Sequence, residues 1–203
     1  PARNVAEYNL EKRRLIDSEL TEKSIDFMRR KAKGSNPFFL YVPLTHLHFP
    51  TLAHPDFAGK SGVGEFADSM MEMDHRVGQL LDAVKDLGIE NETLFIFASD
   101  NGPEFRRPWR GTAGPWSGTY HTAMEGGLRV PMIVKWPGHI EKARVSDDIV
   151  HVTDLFTTLI DVAGAPLPTD RPIDGVSQLS WWKGLVGTSA REGFLFYIKS
   201  KNG

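Results

Sequence analysis

The sequence predicts an α/β fold in which a mostly parallel sheet is flanked by helices. Two short apolar runs, residues 38–42 and 93–98, are typical of strands that are buried on both faces. Between them, residues 64–87 carry apolar side chains at steps of three and four, which indicates one long helix packed on the core. A strand, a helix and a strand in this order form a βαβ unit with parallel strands and a right-handed crossover.

Composition limits the function classes that the chain can serve. Hydrophobic residues make up 40% of the 203 residues and charged residues 25%, which is typical of a globular protein with a sizeable core. The net charge of −2 gives no general attraction to nucleic acid. The sequence has no cysteine, which excludes disulfides, thiolate metal sites and cysteine nucleophiles within it. We expect no membrane span, and residues 1–4 do not resemble a signal peptide, so the compartment stays open.

The chain before the first predicted strand divides into a tail and a helix. Residues 1–15 are polar and charged, which favours a loop or a peripheral tail. Thr21 is a suitable N-cap for the helix that follows it, and the basic residues 29–31 suit its C-terminal end. We expect residues 34–37, which include a glycine and a proline, to end this helix.

The region after the second predicted strand begins with a long loop over residues 102–129, a length that is often functional. A third strand is predicted over residues 132–136. Residues 147–152 form either a short strand or an extended lead-in to the next helix. Thr153 is the predicted N-cap of that helix, which covers residues 154–163.

The C-terminal part of the chain is predicted to be mostly irregular. Gly164 ends the preceding helix, and Trp181 and Trp182 are expected to be buried. Residues 193–198 form a last predicted strand, and Asn-Gly at 202–203 is a hairpin signal. Residues 190–203 are therefore interpreted as the start of a truncated hairpin or of a small C-terminal sheet.

Asp100, Asn101 and Gly102 directly follow the strand predicted over residues 93–98. Ligands of open α/β sheets bind beyond the carboxyl ends of the strands, so this is a position where chemistry is expected. Carboxylate and amide oxygens are hard ligands that suit Ca²⁺ or Mg²⁺. The alternative is an ordinary turn, because all three residue types are common in turns.

Three histidines, His46, His48 and His54, follow the strand predicted over residues 38–42. A lone histidine is more often structural than catalytic, but these three lie directly after a strand end. Parallel strands place His48 and Asp100 beyond the same edge of the sheet. Neighbouring strands lie about 4.8 Å apart, so the two loops can meet if the strands are near neighbours.

These motifs together resemble the sulfatases of the alkaline phosphatase-like superfamily, specifically the arylsulfatase type. The resemblance extends from about residue 21 to residue 203 and covers most of the chain. Each motif is modest, but their order and spacing are specific. The residues that carry it are 38–41 with 48–50, 99–102, 125–131, 136–138, 153–164 and 173–176.

The resemblance implies a sulfuric ester hydrolase that cleaves sulfate esters of small molecules or of glycans. It implies that Asp100 and Asn101 are calcium ligands and that His48 touches the sulfate ester or the leaving group. The family's nucleophile is a formylglycine in a C/S-x-P-S-R motif, which this sequence lacks and which is expected upstream, with further metal ligands. Residues 1–203 then form the central and C-terminal part of a sulfatase catalytic domain that is truncated at both ends and inactive alone.

The loop before Glu125 departs from the family pattern. Many sulfatases carry a sulfate-binding lysine five residues before this glutamate, and Tyr120 occupies that position here. His121, beside it, is a candidate replacement for the lysine as a substrate-binding donor, and a structural role is the alternative. Glu125 and Arg129 are expected to form an ion pair that shapes the loop.

Two other functions remain open at the level of sequence. A phosphodiesterase or phosphonate hydrolase of the same superfamily would act on a similar tetrahedral oxyanion, and the residues here barely discriminate between the two esters. The other alternative is a non-catalytic metal-binding module that keeps the fold. The sequence does not specify the oligomeric state. A periplasmic, secreted or lysosomal-like location would require a signal peptide on a longer chain.

Overall fold

The structure, a computed structural model, describes residues 7–140 and 143–196. These residues form two compact units, one of residues 7–90 with 101–129 and one of residues 91–100 with 130–140 and 143–196. No helix in these two described ranges is both long enough and apolar enough to span a bilayer. The elements are α1 (Leu10–Lys31), α2 (Glu65–Asp86), a 3₁₀ turn (Glu90–Glu92), β1 (Phe95–Ala98), α3 (Glu125–Leu128), β2 (Met132–Lys135), α4 (Val152–Val162) and α5 (Leu179–Trp182).

Helix α1 begins earlier than the sequence predicted. Its N-cap is Asn9, whose Oδ1 accepts a hydrogen bond of 2.9 Å from the backbone N–H of Lys12. Thr21, the predicted N-cap, lies buried in the middle of the helix and donates its hydroxyl to the carbonyl of Asp17. The predicted tail was therefore wrong for residues 10–15, and residues 1–6 lie outside the described residues.

The reason for this error is the polar character of the buried face of α1. Five residues at steps of three and four are buried along it, and four of the five are polar or charged. A search for apolar periodicity does not detect such a helix, because its core-facing stripe is not apolar. The buried residues are Arg13, Asp17, Thr21, Ser24 and Met28.

Helix α2 was predicted nearly to its ends and terminates as expected. Gly88, just beyond the C-cap, adopts a φ of 69°, the left-handed conformation that glycine takes at helix ends. The apolar stripe, however, is buried mainly near the C-terminal end, at Leu80 and Val84, whereas Met70 is 43% exposed. The first half of α2 instead buries polar side chains, which are Asp68, Ser69, Glu72 and Arg76. Core packing of the whole stripe was therefore a wrong prediction.

The strand predicted over residues 38–42 is not observed among the described residues. These residues belong to no strand, and the side chains of Phe39 and Tyr41 are 72% and 75% exposed. A strand requires a neighbour that pairs with its backbone, and no described segment pairs with this one. The βαβ unit and its parallel crossover are therefore not confirmed.

The second unit contains the one sheet found among the described residues. Strands β1 and β2 pair in antiparallel fashion, with Phe95 opposite Lys135 and Ala98 opposite Met132. Both predicted strands thus exist, but neither is buried on both faces, and Ile133 is 62% exposed. The α/β character is present, whereas the mostly parallel sheet is not observed among the described residues.

Helix α4 has an N-cap two residues before the predicted one. His151 is the cap, and its Nδ1 accepts a hydrogen bond from the backbone N–H of Thr153 at 3.4 Å. In return, Asp154 Oδ2 accepts a hydrogen bond from the backbone N–H of His151 at 2.9 Å. This reciprocal pair is a capping box, with a ring nitrogen in place of the usual hydroxyl. Gly164 ends the region as predicted, with a φ of 65°.

Asp154 is also the buried centre of the second unit. Its carboxylate is fully buried and accepts hydrogen bonds from the Arg191 guanidinium, from the backbone N–H of Val176 at 2.9 Å and from Gln178 Nε2 at 3.3 Å. Burial alone raises the pKa of this carboxyl, but the hydrogen bonds from Arg191 and from the backbone outweigh it, so the pKa is lowered overall.

The segments that follow α4 confirm one prediction and correct another. Trp181 and Trp182 are buried in α5, as predicted. The last predicted strand is wrong where it is described, because residues 193–196 belong to no strand. Its remaining residues and the predicted hairpin turn lie outside the described residues. Residues 147–151 form no strand and lead directly into α4.

Loss of the Asp154 charge should destabilise the full-length protein. Asp154→Asn leaves the Arg191 guanidinium, whose side chain is 11% exposed, without its charged partner, and breaking a buried pair typically costs about 3–5 kcal/mol. Asp170→Asn is the control, because Asp170 pairs with Arg171 in a well-exposed position. Thermal unfolding of both variants measures this effect. An equal midpoint for the two would contradict the assignment.

The same substitution should also change the pH dependence of stability. The folded-state pKa of Asp154 is lowered below its ordinary value of 3.8, so its contribution is complete above that value and is lost as the pH falls through the lower folded-state pKa. The stability gap between the wild-type protein and Asp154→Asn should therefore narrow in acid. A gap that widens with acidification would contradict this sign.

Candidate functional site

Asp100 and Asn101 lie just beyond the end of β1. Strand β1 ends at Ala98, and the backbone N–H of Ser99 donates to the carbonyl of Pro131 at 3.3 Å. Asp100 is exposed, and Asn101 Nδ2 donates to the carbonyl of Gly102 at 3.0 Å. The carboxylate and the neighbouring amide have the oxygen chemistry of a hard-cation site. Within the described ranges, no three or more Asp, Glu or His side chains cluster as a metal site, so these two residues do not enclose a cation alone.

Gly102 is required for a close approach of two backbone segments, not for a left-handed turn. Its N–H donates to the carbonyl of Gly127 at 3.0 Å, and its φ lies outside the left-handed region. A Cβ added at Gly102 would lie 1.9 Å from the carbonyl oxygen of Gly126. The glycine of Asp-Asn-Gly therefore has a packing role as well as a turn role: its missing side chain lets the backbone of Gly102 contact the backbone of α3.

The segment around α3 is held by the ion pair that the sequence predicted. Arg129 Nε lies 2.7 Å from Glu125 Oε2, one helical turn away. The Arg129 guanidinium also covers the ring of Trp116 at 4.2 Å, and Gly126 N–H donates to the carbonyl of Ser117 at 2.8 Å. The predicted ion pair is therefore present, and the contacts of Arg129 with Trp116 and of Gly126 with Ser117 connect α3 to the preceding loop.

His48 is the exposed member of the three predicted histidines. Its Nδ1 lies 2.6 Å from the carbonyl oxygen of Phe49, and its ring stacks on that of Phe49 at 5.1 Å. Because a carbonyl only accepts, this contact places a proton on Nδ1. His46 is buried, with a side chain 2% exposed, and His54 Nδ1 pairs with Asp56 at 3.3 Å.

His121 is exposed in a strained backbone conformation. Its φ is 65°, and its ring lies 3.9 Å from that of Tyr120. Leu47, next to His48, has a φ of 71°. These two are the non-glycine residues with positive φ in the part of the chain that the structure describes. Such strain costs about 1–3 kcal/mol per residue and clusters at functional sites, so both loops are candidates for function.

Hydrogen bonds bring three of these loops together within the first unit. Glu104 Oε2 accepts from the backbone N–H of Phe49 at 3.0 Å, which ties the His48 loop to the segment after Asn101. The backbone N–H of Tyr120 donates to the carbonyl of Pro103 at 3.0 Å, which ties the His121 turn to the same segment. Sequence reasoning missed Glu104, because no motif or periodicity distinguishes it from a solvated loop glutamate.

Positive charge accompanies this arrangement. The Arg106 guanidinium covers the ring of Phe49 at 3.8 Å, directly beside the His48 loop. Arg110 covers the ring of Phe105 at 3.6 Å in the same segment. The site in the first unit thus combines an exposed histidine, a second exposed histidine on a neighbouring loop and nearby guanidinium groups, a set that suits an anionic ligand.

Comparison with known proteins gives a consistent result. The family model described as Sulfatase matches residues 2–165. Arylsulfatase A of Homo sapiens is 42% identical over 173 residues, which is 85% of this chain and 34% of that protein. N-acetylgalactosamine-6-sulfatase of Canis lupus familiaris is 36% identical over 180 residues, 88% of this chain and 34% of that protein. The chain therefore spans about a third of the length of these curated relatives.

Solved structures agree with these sequence matches. The crystal structure of PsFucS1 sulfatase from Pseudoalteromonas sp. matches with a TM-score of 0.86 and 31% identity, covering 94% of this chain and 39% of that one. The crystal structure of Ps i-CgsB in complex with k-i-k-neocarrahexaose matches with a TM-score of 0.73 and 27% identity, covering 83% and 38%.

The close approach at Gly102 leads to a stability prediction. Gly102→Ala should destabilise the full-length protein by about 1–3 kcal/mol, because the added methyl group meets backbone, which cannot move aside as a side chain can. Gly78→Ala is the control, since Gly78 lies in α2 with open space around it, and the change should stabilise that helix by up to about 1 kcal/mol. Chemical denaturation measures both, and a neutral Gly102→Ala would contradict the close approach.

Proposed function

Because the chain belongs to the sulfatase family, we propose that it forms part of a sulfuric ester hydrolase and contributes residues to its active site. The observation that carries the proposal is the joining of the His48 loop, the segment after Asn101 and the His121 turn by hydrogen bonds within one unit. The chain matches only about a third of each curated relative, so the activity belongs to the full-length protein.

Asp100 and Asn101 are proposed as two ligands of a calcium ion, with Mg²⁺ as the alternative cation. Their oxygens have the required chemistry, and the exposed Asp100 is accessible to a cation. When bound, the cation would neutralise charge on the sulfuryl oxygens. The family relationship supports further ligands and a formylglycine nucleophile outside residues 1–203.

His48 is proposed as the proton donor to the leaving group. When the S–O ester bond breaks, the departing oxygen carries the bonding electrons and requires a proton. In the charged ring, Nδ1 keeps its hydrogen bond to the Phe49 carbonyl, which leaves the Nε2 proton for the departing oxygen. The exposure of His48 supports this role, because the ring is accessible to a substrate.

His121 is proposed as a substrate-binding donor to the sulfate group. Support comes from its exposure, from its strained left-handed backbone, and from the hydrogen bond that ties the neighbouring Tyr120 to the carbonyl of Pro103. The nearby Arg106 and Arg110 add positive charge in the same unit, although both guanidinium groups lie on aromatic rings. A donor on a neighbouring loop binds the sulfate from a second direction and orients its ester bond.

The proposed substrate is a sulfate ester of a glycan or of a small aryl compound. One relative is named as an N-acetylgalactosamine-6-sulfatase, another as an arylsulfatase, and one solved neighbour is in complex with a carrahexaose. The exposed aromatic Tyr120 and Trp116 in the first unit suit either a sugar ring or an aryl group. A phosphate ester is the alternative substrate. Comparing the hydrolysis rates of a sulfate ester and a phosphate ester with the same leaving group would distinguish the two.

Residues 1–203 are proposed as the central and C-terminal part of a sulfatase catalytic domain, with residues 190–203 as the start of a truncated hairpin or of a small C-terminal sheet. In that domain, residues 38–42 would join a mostly parallel sheet. The exposed side chains of Phe39 and Tyr41 support this proposal, because aromatic residues of an isolated segment need a covering partner.

Removal of the proposed metal ligand should abolish metal-dependent turnover. Asp100→Ala in the full-length protein removes a charged oxygen, so the calcium concentration needed for half-maximal activity should rise steeply, and turnover should fall to the level of the chelated enzyme. Asp26→Ala is the control, because Asp26 pairs with Arg30 on the exposed surface of α1. Hydrolysis of an aryl sulfate across a calcium titration measures this, and activity that survives chelation would contradict a metal role.

Removal of His48 should slow the chemical step without unfolding the protein. General acid catalysis typically contributes about 10²–10⁴-fold, so His48→Ala should lower kcat within that range. The loss should be larger for an ester with a poor leaving group, which needs the proton most. His75→Ala, on the exposed surface of α2, is the matched control. Wild-type turnover in His48→Ala would contradict the proton-donor role and favour a structural role for this histidine.

A further inference from the structure

A cluster of two carboxylates and a histidine is buried where α1, α2 and the His48 loop meet. Asp17 of α1 is 4% exposed, Glu72 of α2 is 1% exposed, and the side chain of His46 between them is 2% exposed. His46 Nδ1 lies 3.6 Å from Asp17 Oδ2, and His46 Nε2 lies 3.1 Å from Glu72 Oε2. Burial of a carboxylate is costly unless polar groups compensate it, and here the two carboxylates lie on opposite sides of one imidazole ring.

Both ring nitrogens of His46 face a carboxylate oxygen, although neither makes a hydrogen bond of good angular geometry. Glu72 also accepts from the Arg76 guanidinium at 3.2 Å. Burial raises the pKa of Glu72, but the close approach of the His46 ring and the hydrogen bonds from the His54 backbone and Arg76 outweigh it, so the pKa is lowered overall and the carboxylate stays charged.

The two carboxylates hold both ends of the loop that carries His48. Asp17 accepts from the backbone N–H of Thr45 and from its hydroxyl, each at 2.6 Å. Glu72 accepts from the backbone N–H of His54 at 2.7 Å. Charged acceptors make stronger hydrogen bonds than neutral ones. The loop is therefore anchored three residues before His48 and six residues after it.

Arg13 holds the middle of the same loop. It is 8% exposed on α1, and its Nη2 donates to the carbonyl of Thr45 at 2.7 Å and to the carbonyl of His48 at 2.8 Å. Leu47, with its φ of 71°, lies between these two carbonyls. A strained residue persists only where the surroundings determine its conformation, and the two bonds from Arg13 supply such a constraint.

We propose that Arg13 is a positioning residue, which sets the place of the His48 ring by holding the backbone carbonyl of His48, while the buried Asp17, His46 and Glu72 anchor the loop ends. The proposal rests on the proposed role of His48 as the proton donor. A side chain buried under the loop acts through His48 and needs no contact with the substrate. A small displacement of a catalytic group can lower a rate by about 10²-fold.

The test compares two sulfate esters in the full-length, calcium-loaded enzyme. 4-Nitrophenyl sulfate has a good leaving group that needs little proton donation, and phenyl sulfate has a poorer one. Arg13→Gln should lower kcat for phenyl sulfate by about tenfold to a hundredfold and kcat for 4-nitrophenyl sulfate by less, with little change in KM. The ratio of the two kcat values is the decisive quantity, because partial unfolding lowers both rates by the same factor.

Arg14→Gln is the matched control. Arg14 is the next residue of α1, and its Nη1 donates to the carbonyl of Ala53 at 3.0 Å, so its loss removes a similar bond to the loop without touching His48. The kcat ratio should stay at its wild-type value in Arg14→Gln. Arg13→Lys keeps the charge and several donors, so its kcat ratio should lie between that of Arg13→Gln and that of the wild-type enzyme.

Each outcome decides the proposal. An unchanged kcat ratio in folded Arg13→Gln, whether neither rate falls or both fall by the same factor, would overturn the positioning role. It would leave the proposed function of His48 intact. If Arg13→Gln does not fold, Arg13→Lys decides, because an ammonium lacks the planar fork of the guanidinium: its kcat ratio must still depart from the wild-type value, and a fully wild-type ratio would overturn the proposal. If His48→Ala itself leaves the ratio unchanged, the proton-donor role of His48 fails, and the role of Arg13 fails with it.

Discussion

The architecture of the chain depends on buried carboxylates that are fully engaged. In the first unit, Asp17 and Glu72 accept backbone N–H groups from the loop between α1 and α2. In the second unit, Asp154 accepts backbone N–H groups from two segments and binds Arg191. A carboxylate is costly to bury, so each one determines where its donors must lie. Polar contacts of this kind, more than apolar packing, specify how the loops are arranged.

This dependence explains which parts of the fold the sequence predicts. Helix α2 and strands β1 and β2 follow apolar patterns, and Gly88 and Gly164 mark helix ends through their backbone freedom. The first half of α1 was missed because its buried face is polar. Residues 38–42 were assigned to a strand on their apolar character, but pairing depends on a neighbour that no short-range pattern reveals.

The residues of the candidate site also divide into those that the sequence identifies and those that it does not. His48, Asp100 and Asn101 are identifiable because polar residues directly follow apolar runs, and His121 because of its place in a motif. Their roles stay predictions. Arg13 and Glu104 were not identifiable, since they act on the site through backbone groups of distant residues. Contacts across many positions of the chain leave no local signal, and only the folded arrangement reveals them.

The exposed aromatic residues of the unpaired segment, residues 38–42, affect the solubility of the chain. Phe39 and Tyr41 lie in an apolar run whose backbone is bonded to no strand among the described residues. Such a run is a template for intermolecular β-pairing, the route by which separate chains stack into cross-β aggregates. A polypeptide of these residues expressed by itself would thus carry an aggregation-prone edge. Co-folding with a covering strand removes this hazard, so solubility would depend on the segment that pairs with it.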